Sequence, residues 1–452
     1  MGVGRQLLRR IGLADAADMS TQSLVLLAFL IPMSLFLTAD QNVLNPNLLL
    51  VQEEFDVSLY DLGAVSSAFT IVGAIVTLVW GYLTDKYSRR WLLAITVLLG
   101  EIPCFLTGFA RTYDQLFLMR VLTGLGVGGV LPLEFSLIGD YFTTKERPTA
   151  NAWIGTAMGL GMAFGQLMAG LVGPTYGWRL PFIVAAVPNF VLVPLFLMFS
   201  REPRRGEGED ELRALVRRGK EYTEKASLGA YKRLFQVPTN LLAFLQGLPG
   251  CIPWGILPFL IVTFYVQEKG FSIEQATVMS LVFGAGAIIG GLQGGIWGNA
   301  LYNQNRAYLP LLNGVTTIIG TVPFFAVVLW PIPQNPGFGA IVFPSILAFA
   351  GGWLIGITSP NVKALLLNVN PPETRGSIFA VFNLTDSVGK GVGPILGGWL
   401  AVRYGLTSTM LFAVAWWVVC GLIWFPIART SPRDEDKLRA LMARRAEEMS
   451  RE

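Results

Sequence analysis

Histidine is absent from the 452 residues. That removes the commonest metal ligand and the side chain that most often serves as a general base near neutral pH. Cysteine is scarce: Cys104, Cys251 and Cys420 each stand inside an apolar stretch, at separations that fit neither a zinc site nor a disulfide framework. Three buried thiols are expected, with no metal and no cofactor. Charge is scarce as well, at 14% of residues, where a soluble domain carries roughly 25%. No phosphate-cradling loop stands between a strand and a helix, since the run Gly124-Leu125-Gly126-Val127-Gly128-Gly129 is a packing series within one apolar stretch. With no catalytic constellation in view, an enzyme is not expected.

Long apolar runs dominate what is present. The chain is 53% hydrophobic, with a mean hydropathy of +0.53, and its runs reach the ~20 residues a helix needs to cross the hydrocarbon layer. The expected fold is an all-α membrane protein of twelve transmembrane helices in two pseudo-symmetric six-helix bundles. The spans are read near 22–50, 60–85, 91–110, 114–142, 149–173, 179–200, 237–266, 273–301, 307–330, 338–368, 375–402 and 406–428. This divides the chain into an N-terminal bundle (1–200), a cytoplasmic linker (201–236) rich in Arg, Lys and Glu, a C-terminal bundle (237–429) and a cytoplasmic tail (430–452). Leu212, Leu215 and Val216 in the linker, and Leu438, Leu441 and Met442 in the tail, recur at helical spacing among charges, as in helices lying on a membrane face. A plain solvated linker is the alternative.

The distribution of lysine and arginine sets the expected orientation. With the N-terminus in the cytoplasm, only Arg111, Arg179, Lys269 and Arg403 fall on the outer side, and the first outer loop, Gln52 to Asp56, is acidic. Both termini are then cytoplasmic, in a multi-pass protein of the plasma or inner membrane. Arg5, Arg9 and Arg10 precede a stretch too long for a cleaved signal, so the first span is expected to be an uncleaved anchor. The net charge of +4 fits cytoplasmic loops and gives no reason to expect a nucleic-acid partner; membrane lipids are the expected surroundings, and a monomer the expected state.

The halves repeat. At the fixed offset between Arg147 and Arg375, Gly124 matches Gly352, Gly128 matches Gly356 and Pro132 matches Pro360. Gly161, Gly165, Gly170 and Gly177 match Gly389, Gly393, Gly398 and Gly405. Repeated halves are a common build of secondary transporters. Gly286, Gly290, Gly294 and Gly298 recur every four residues, a spacing that lets helix backbones approach closely in lipid.

The most specific motif runs from Gly81 to Arg90 between spans two and three. Its Gly81, Asp85, Lys86, Arg89 and Arg90, with Ser88 where a glycine is usual, resemble the signature loop of the major facilitator superfamily. A decayed copy in the second half keeps Gly298 and Arg306 but has Tyr302 and Asn303 in place of the charged pair. The charges read as a gating latch that stabilises one access state; the resemblance implies Asp140, at the cytoplasmic end of span four, as the acid the arginines meet. A bare topology signal is the alternative. A second resemblance is Arg120 followed by the glycine run, which the family often ties to proton coupling.

Arg120 falls at membrane depth and needs a partner. Asp40 on span one is the best candidate, since the resemblance implies that spans one and four flank the cavity. Such a pair binds and releases a proton as the partner distance changes; a fixed ion pair tying the two spans is the alternative. Glu134, Lys363, Asp386 and Lys390, with Glu101 beside them, also fall at membrane depth and are candidates for proton coupling or for the substrate cavity. Asp386 and Lys390, four apart, share a helix face. Lys363 suits an anionic head group, or snorkels toward the interface. Span seven carries Pro249, Gly250 and Pro253, with Pro258 beyond, and is expected to break or kink as a gate helix.

The resemblance implies a secondary active transporter that moves a small solute by alternating access, with protons as the expected coupling ion. Asp40 followed by Leu44 and Pro46, and the acidic outer loop with Ser58, look like the spinster-type lipid transporters, which implies a lysophospholipid or sphingoid-type substrate. Gln41 and Val127 depart from that branch's pattern. A proton-coupled organic-anion symporter, a multidrug exporter and a transporter-like membrane sensor are the other readings.

Overall fold

The computed structural model describes residues 19–142, 146–203, 234–331, 339–371 and 374–451, without the side chains of Asp85, Pro148, residues 375–377 and residues 445–451. Arg5, Arg9, Arg10, the side chain of Asp85 and the linker residues Leu212, Leu215 and Val216 lie outside the described set.

Among the described residues the regular structure is helical throughout. In chain order the helices are α1 (Thr21–Gln41), α2 (Leu48–Phe55), α3 (Leu59–Lys86), α4 (Arg89–Thr107), α5 (Tyr113–Tyr141), α6 (Arg147–Tyr176) and α7 (Arg179–Phe199). After the linker come α8 (Pro238–Lys269), α9 (Ile273–Gln304), α10 (Tyr308–Leu329), α11 (Gly339–Gly356), α12 (Thr358–Val369), α13 (Arg375–Tyr404) and α14 (Leu406–Arg451). Eleven stretches of the described residues are long and apolar enough to cross a membrane, with α1–α2 and α11–α12 each counted as one. α13 is equally long, at 30 residues, but Asp386 and Lys390 lower its hydropathy. The chain is therefore an all-α, multi-pass membrane protein.

Local sequence explains the ends. Ser20, Ser88, Thr112 and Ser272 cap α1, α4, α5 and α9, each side chain accepting from a backbone N–H three residues on; Gln275 completes a capping box on α9. Gly177 and Gly405, partners in the repeat, close α6 and α13 with φ of 87° and 83°, a region that costs glycine nothing.

Three details differ from the sequence reading. α8 is continuous through Pro249, Pro253 and Pro258, so of the expected break or kink the break does not occur. Each proline withholds one backbone donor, from the carbonyls of Leu245, Pro249 and Trp254, and extensive packing against α13 and α14 holds the helix together. The tenth span divides at Ile357 into α11 and α12, because Pro360 has no N–H for the Gly356 carbonyl. The tail is no separate surface helix, since α14 carries the last span straight on to Arg451.

By internal contacts the chain forms two compact units, one of residues 1–57 with 68–224, the other of 58–67 with 225–452. In the first, α1 packs on α6 and α7, and α4 on α5 and α7. In the second, α8 packs on α13 and α14, α9 on α11, and α10 on α14. The repeat is visible in these interfaces. A Cβ added to Gly124 or Gly128 of α5 would strike the Phe69 or Gly73 carbonyl of α3. The matching Gly352 and Gly356 of α11 face the Phe283 and Ala287 carbonyls of α9. Gly161 and Gly165 of α6 face Leu35 and Ala39 of α1, while Gly389 and Gly393 of α13 face Cys251 and Gly255 of α8. Gly286, Gly290, Gly294 and Gly298 of α9 face Phe349, Trp353, Ile357 and Asn361. With no hydrophobic drive between helices in lipid, such backbone approach holds them by dispersion.

Candidate functional site

The first unit buries a cluster of charge. Asp40, near the end of α1, is fully buried, and Arg120, two turns into α5, is 2% exposed. Arg120 Nη1 stands 3.6 Å from Asp40 Oδ1, which is an ion pair without a hydrogen bond. The guanidinium lies over the rings of Phe69 at 4.5 Å and Phe182 at 5.5 Å, so aromatic faces support part of its charge. α4 adds Glu101 and Cys104, both fully buried. Asn189 of α7 donates to Glu101 Oε1 at 2.5 Å.

The cluster is under-satisfied. Both oxygens of Asp40, Glu101 Oε2, Asn189 Oδ1, and Nε and Nη1 of Arg120 are buried without a hydrogen-bond partner. Buried polar groups are normally paired, so this concentration stands out among the described residues. One carboxyl oxygen each of Asp40 and Glu101, and the Cys104 sulfur, lie within 4.8 Å of one another, the one group among the described residues with donors so arranged that it could hold a metal ion. Arg120 already brings positive charge there, which suits a proton better than a divalent ion. The sequence reading named Asp40 and Arg120 together and left Glu101 apart. Asn189 it missed, though an asparagine at membrane depth is itself a signal.

Glu134 lies 14 residues beyond Arg120 on α5 and is 1% exposed. Ser34 of α1 donates to its Oε1 at 2.5 Å, and its Oε2 has no hydrogen-bond partner. Leu133, Leu137, Met33 and Leu37 nearby belong to one apolar core.

At the other end of α4 the signature loop is tied down. Arg89 is 4% exposed. It pairs with Asp140 of α5, with Glu202 at 3.4 Å, and donates to the Pro203 carbonyl at 2.9 Å. Glu202 accepts from the Ser88 hydroxyl at 2.6 Å and from the backbone N–H groups of Arg89 and Arg90, both at 3.0 Å. An acid thus sits on the first turn of α4, where unpaired N–H groups and the helix dipole favour it. Lys86 lies over the Tyr82 ring at 4.4 Å, and Gly81 has open space around it. Glu202 lies just past α7, in the stretch whose composition marks it as linker, so nothing in the sequence points to it.

The second unit ties the equivalent loop to α14. Tyr302 donates to Glu435 at 2.5 Å, and Arg306 pairs with Asp436 at 2.7 Å and Glu435 at 3.8 Å; Asp436 pushes the Arg306 guanidinium above its usual pKa. Asp434 accepts from the N–H and the hydroxyl of Thr239, at 3.1 and 2.8 Å, at the start of α8. The acids come from the continuation of α14, which could not be foreseen while the tail was read as a separate element.

Of the remaining candidates, Lys363 on α12 and Lys390 on α13 are exposed, and Asp386 is half-buried. Asp386 is in the field of both lysines and hydrogen-bonds with the Cys251 thiol of α8. Pro249, Gly250 and Pro253 lie on α8, with Gly250 close to Cys420 of α14.

Comparison with known proteins gives the family. The chain is 24% identical over 352 residues to multidrug resistance protein 1 of Bacillus subtilis, covering 77% of this chain and 83% of that one. It is 24% identical over 370 residues to a probable galactarate/D-glucarate transporter of Escherichia coli K12, with 77% and 82% covered. In fold it is similar to the inward-facing, unoccupied crystal structure of a bacterial homologue of the human lysosomal transporter Spinster, with a TM-score of 0.80 at 18% identity, covering 92% of this chain and 99% of that one. A family model described as Major Facilitator Superfamily matches residues 26–346 and 337–448, and the chain belongs to that superfamily of membrane transporters.

Proposed function

We propose that the protein is a proton-coupled secondary active transporter that moves a small organic solute by alternating access, with Asp40 and Arg120 as the coupling pair. The observation that carries this reading is the loose engagement of that pair, 3.6 Å apart and fully buried. Two charges at that depth cost several kcal/mol each to desolvate unless well paired. A pair held short of a hydrogen bond is poised to trade its partner for a proton. Glu134, a further buried carboxyl, on α5, extends the same reading. Arg89, Asp140 and Glu202 form the gating latch, with Gly81, Asp85, Lys86 and Arg90 in its loop. α8, with Pro249, Gly250 and Pro253, is the gate helix.

For the substrate, the exposed Lys363 and Lys390 beside Asp386 favour an organic anion, and the relative named for galactarate and D-glucarate is compatible with that choice. A lysophospholipid or sphingoid-type lipid is the second reading. It is favoured by an apolar cavity of about 520 Å³ lined by Val278, Val282, Ile341, Ile346 and Phe349, with Glu274 also in its lining. The protein is proposed to act as a monomer in the plasma or inner membrane with both termini in the cytoplasm.

The test begins with a ligand screen by thermal stabilisation, setting dicarboxylates and sugar acids against lysolipids. A ligand at 100 times its Kd adds about 2.7 kcal/mol to the folded state. With the ligand found, reconstituted Asp40→Asn protein is expected to lose uptake driven by a pH gradient while retaining substrate exchange. Gradient-driven uptake equal to wild type would sink the coupling role.

A further inference from the structure

Two buried carboxyls face one guanidinium in the first unit, and their hydrogen-bonding is unequal. Glu101 is anchored through Oε1 to the Asn189 amide. Asp40 accepts no hydrogen bond of good geometry, and only the Cys104 thiol and the Arg120 guanidinium bear on its carboxyl from close by. The cluster holds several acceptors without a hydrogen-bond partner: both oxygens of Asp40, Oε2 of Glu101 and Oδ1 of Asn189. A proton on Glu101 Oε2 turns one acceptor into a donor and leaves one carboxylate to balance Arg120. The groups that bear on Glu101 electrostatically are Asp40 from α1 and Arg120 from α5; Cys104 lies beside it on α4, and α7 brings the neutral Asn189.

We propose that Asp40 and Glu101 share a single proton, and that Glu101, held by Asn189, is the positioning residue that keeps it whenever Asp40 pairs with Arg120. This deepens the proton-coupled reading above and rests on it. In the exchange the O–H bond of Glu101 breaks as that of Asp40 forms. The negative charge passes to Glu101, the guanidinium stays charged throughout, and nothing is oxidised or reduced. One oxygen of each carboxyl and the Cys104 sulfur lie within 4.8 Å of one another, and the proton passes when the two oxygens approach to hydrogen-bond distance.

The test is infrared difference spectroscopy of the reconstituted protein during a pH titration, in a Glu134→Gln background so that this carboxyl does not contribute. The parent protein is expected to show a buried carboxylic-acid band near neutral pH. That band is expected to vanish in both Asp40→Asn and Glu101→Gln, because either change leaves one carboxylate for one guanidinium. Loss in Asp40→Asn alone would overturn the shared proton while leaving the Asp40–Arg120 coupling pair standing. Loss in Glu101→Gln alone would overturn it as well, since Glu101 would then carry a proton of its own. A band retained in both variants would defeat this proposal and the coupling pair together. Asn189→Leu guards against a Glu101 variant that does not fold. It keeps both carboxyls, and the band is expected to shift in frequency; an unshifted band would overturn the role of Glu101.

Discussion

Arg120→Leu removes the guanidinium that faces two buried carboxyls. At 3.6 Å and an effective dielectric constant of about 20, the attraction lost is about 4–5 kcal/mol. That agrees with the ~3–5 kcal/mol typical when one partner of a buried pair is deleted. Asp40→Asn is expected to cost clearly less than that, because Glu101 remains to balance Arg120. The two halves of one ion pair should therefore be unequal. The deficit of Arg120→Leu should also shrink on acidification, since protonating the one carboxylate left without Arg120 removes the unbalanced charge. The assay is denaturation of purified protein in a fixed detergent between pH 5 and 8, monitored by tryptophan emission, with the double variant closing the cycle. Equal losses for the two single variants, or an Arg120→Leu deficit that does not depend on pH, would refute the charge balance of this cluster.

Three further outcomes follow from the packing and the end-of-helix contacts. On α6, Gly165→Ala should destabilise by about 1–3 kcal/mol through overpacking, because its Cβ meets the Ala39 backbone. Gly159→Ala on the same helix, with open space around it, should be neutral or slightly stabilising in a thermal melt. Asp434→Ala strips the start of α8 of two accepted hydrogen bonds and should lower stability by about 2–4 kcal/mol, with Asp434→Asn recovering part; equal melting of all three proteins would exclude a capping role. Glu202→Ala should free the signature loop and shift the balance of access states, read as a changed distance distribution between spin labels. An unchanged distribution in both Glu202→Ala and Asp140→Asn would leave these residues a purely static tie.

Several features of this protein follow from its sequence alone. Helices long enough to cross a membrane are dictated by local hydropathy, because lipid leaves the backbone no partner outside its own helix. The repeat was readable for a related reason: Gly124, Gly128, Gly161 and Gly165 and their partners stand where a side chain would strike a neighbouring backbone, so glycine itself records the contact. Asp40 and Arg120 could be singled out by depth, since charge is rare there. What tertiary structure decided is which polar groups meet. Glu101 and Asn189 join Asp40 and Arg120 only because α4 and α7 pack against each other beside α1 and α5, and spacing along the chain carries no trace of that. Glu202 reaches the signature loop by ending a helix beside α4, and Asp434 and Glu435 reach α8 and α9 because α14 does not stop at the end of its apolar run. The unbroken α8 makes the same point from the other side. Three prolines favour a break locally, yet packing against α13 and α14 keeps the helix continuous.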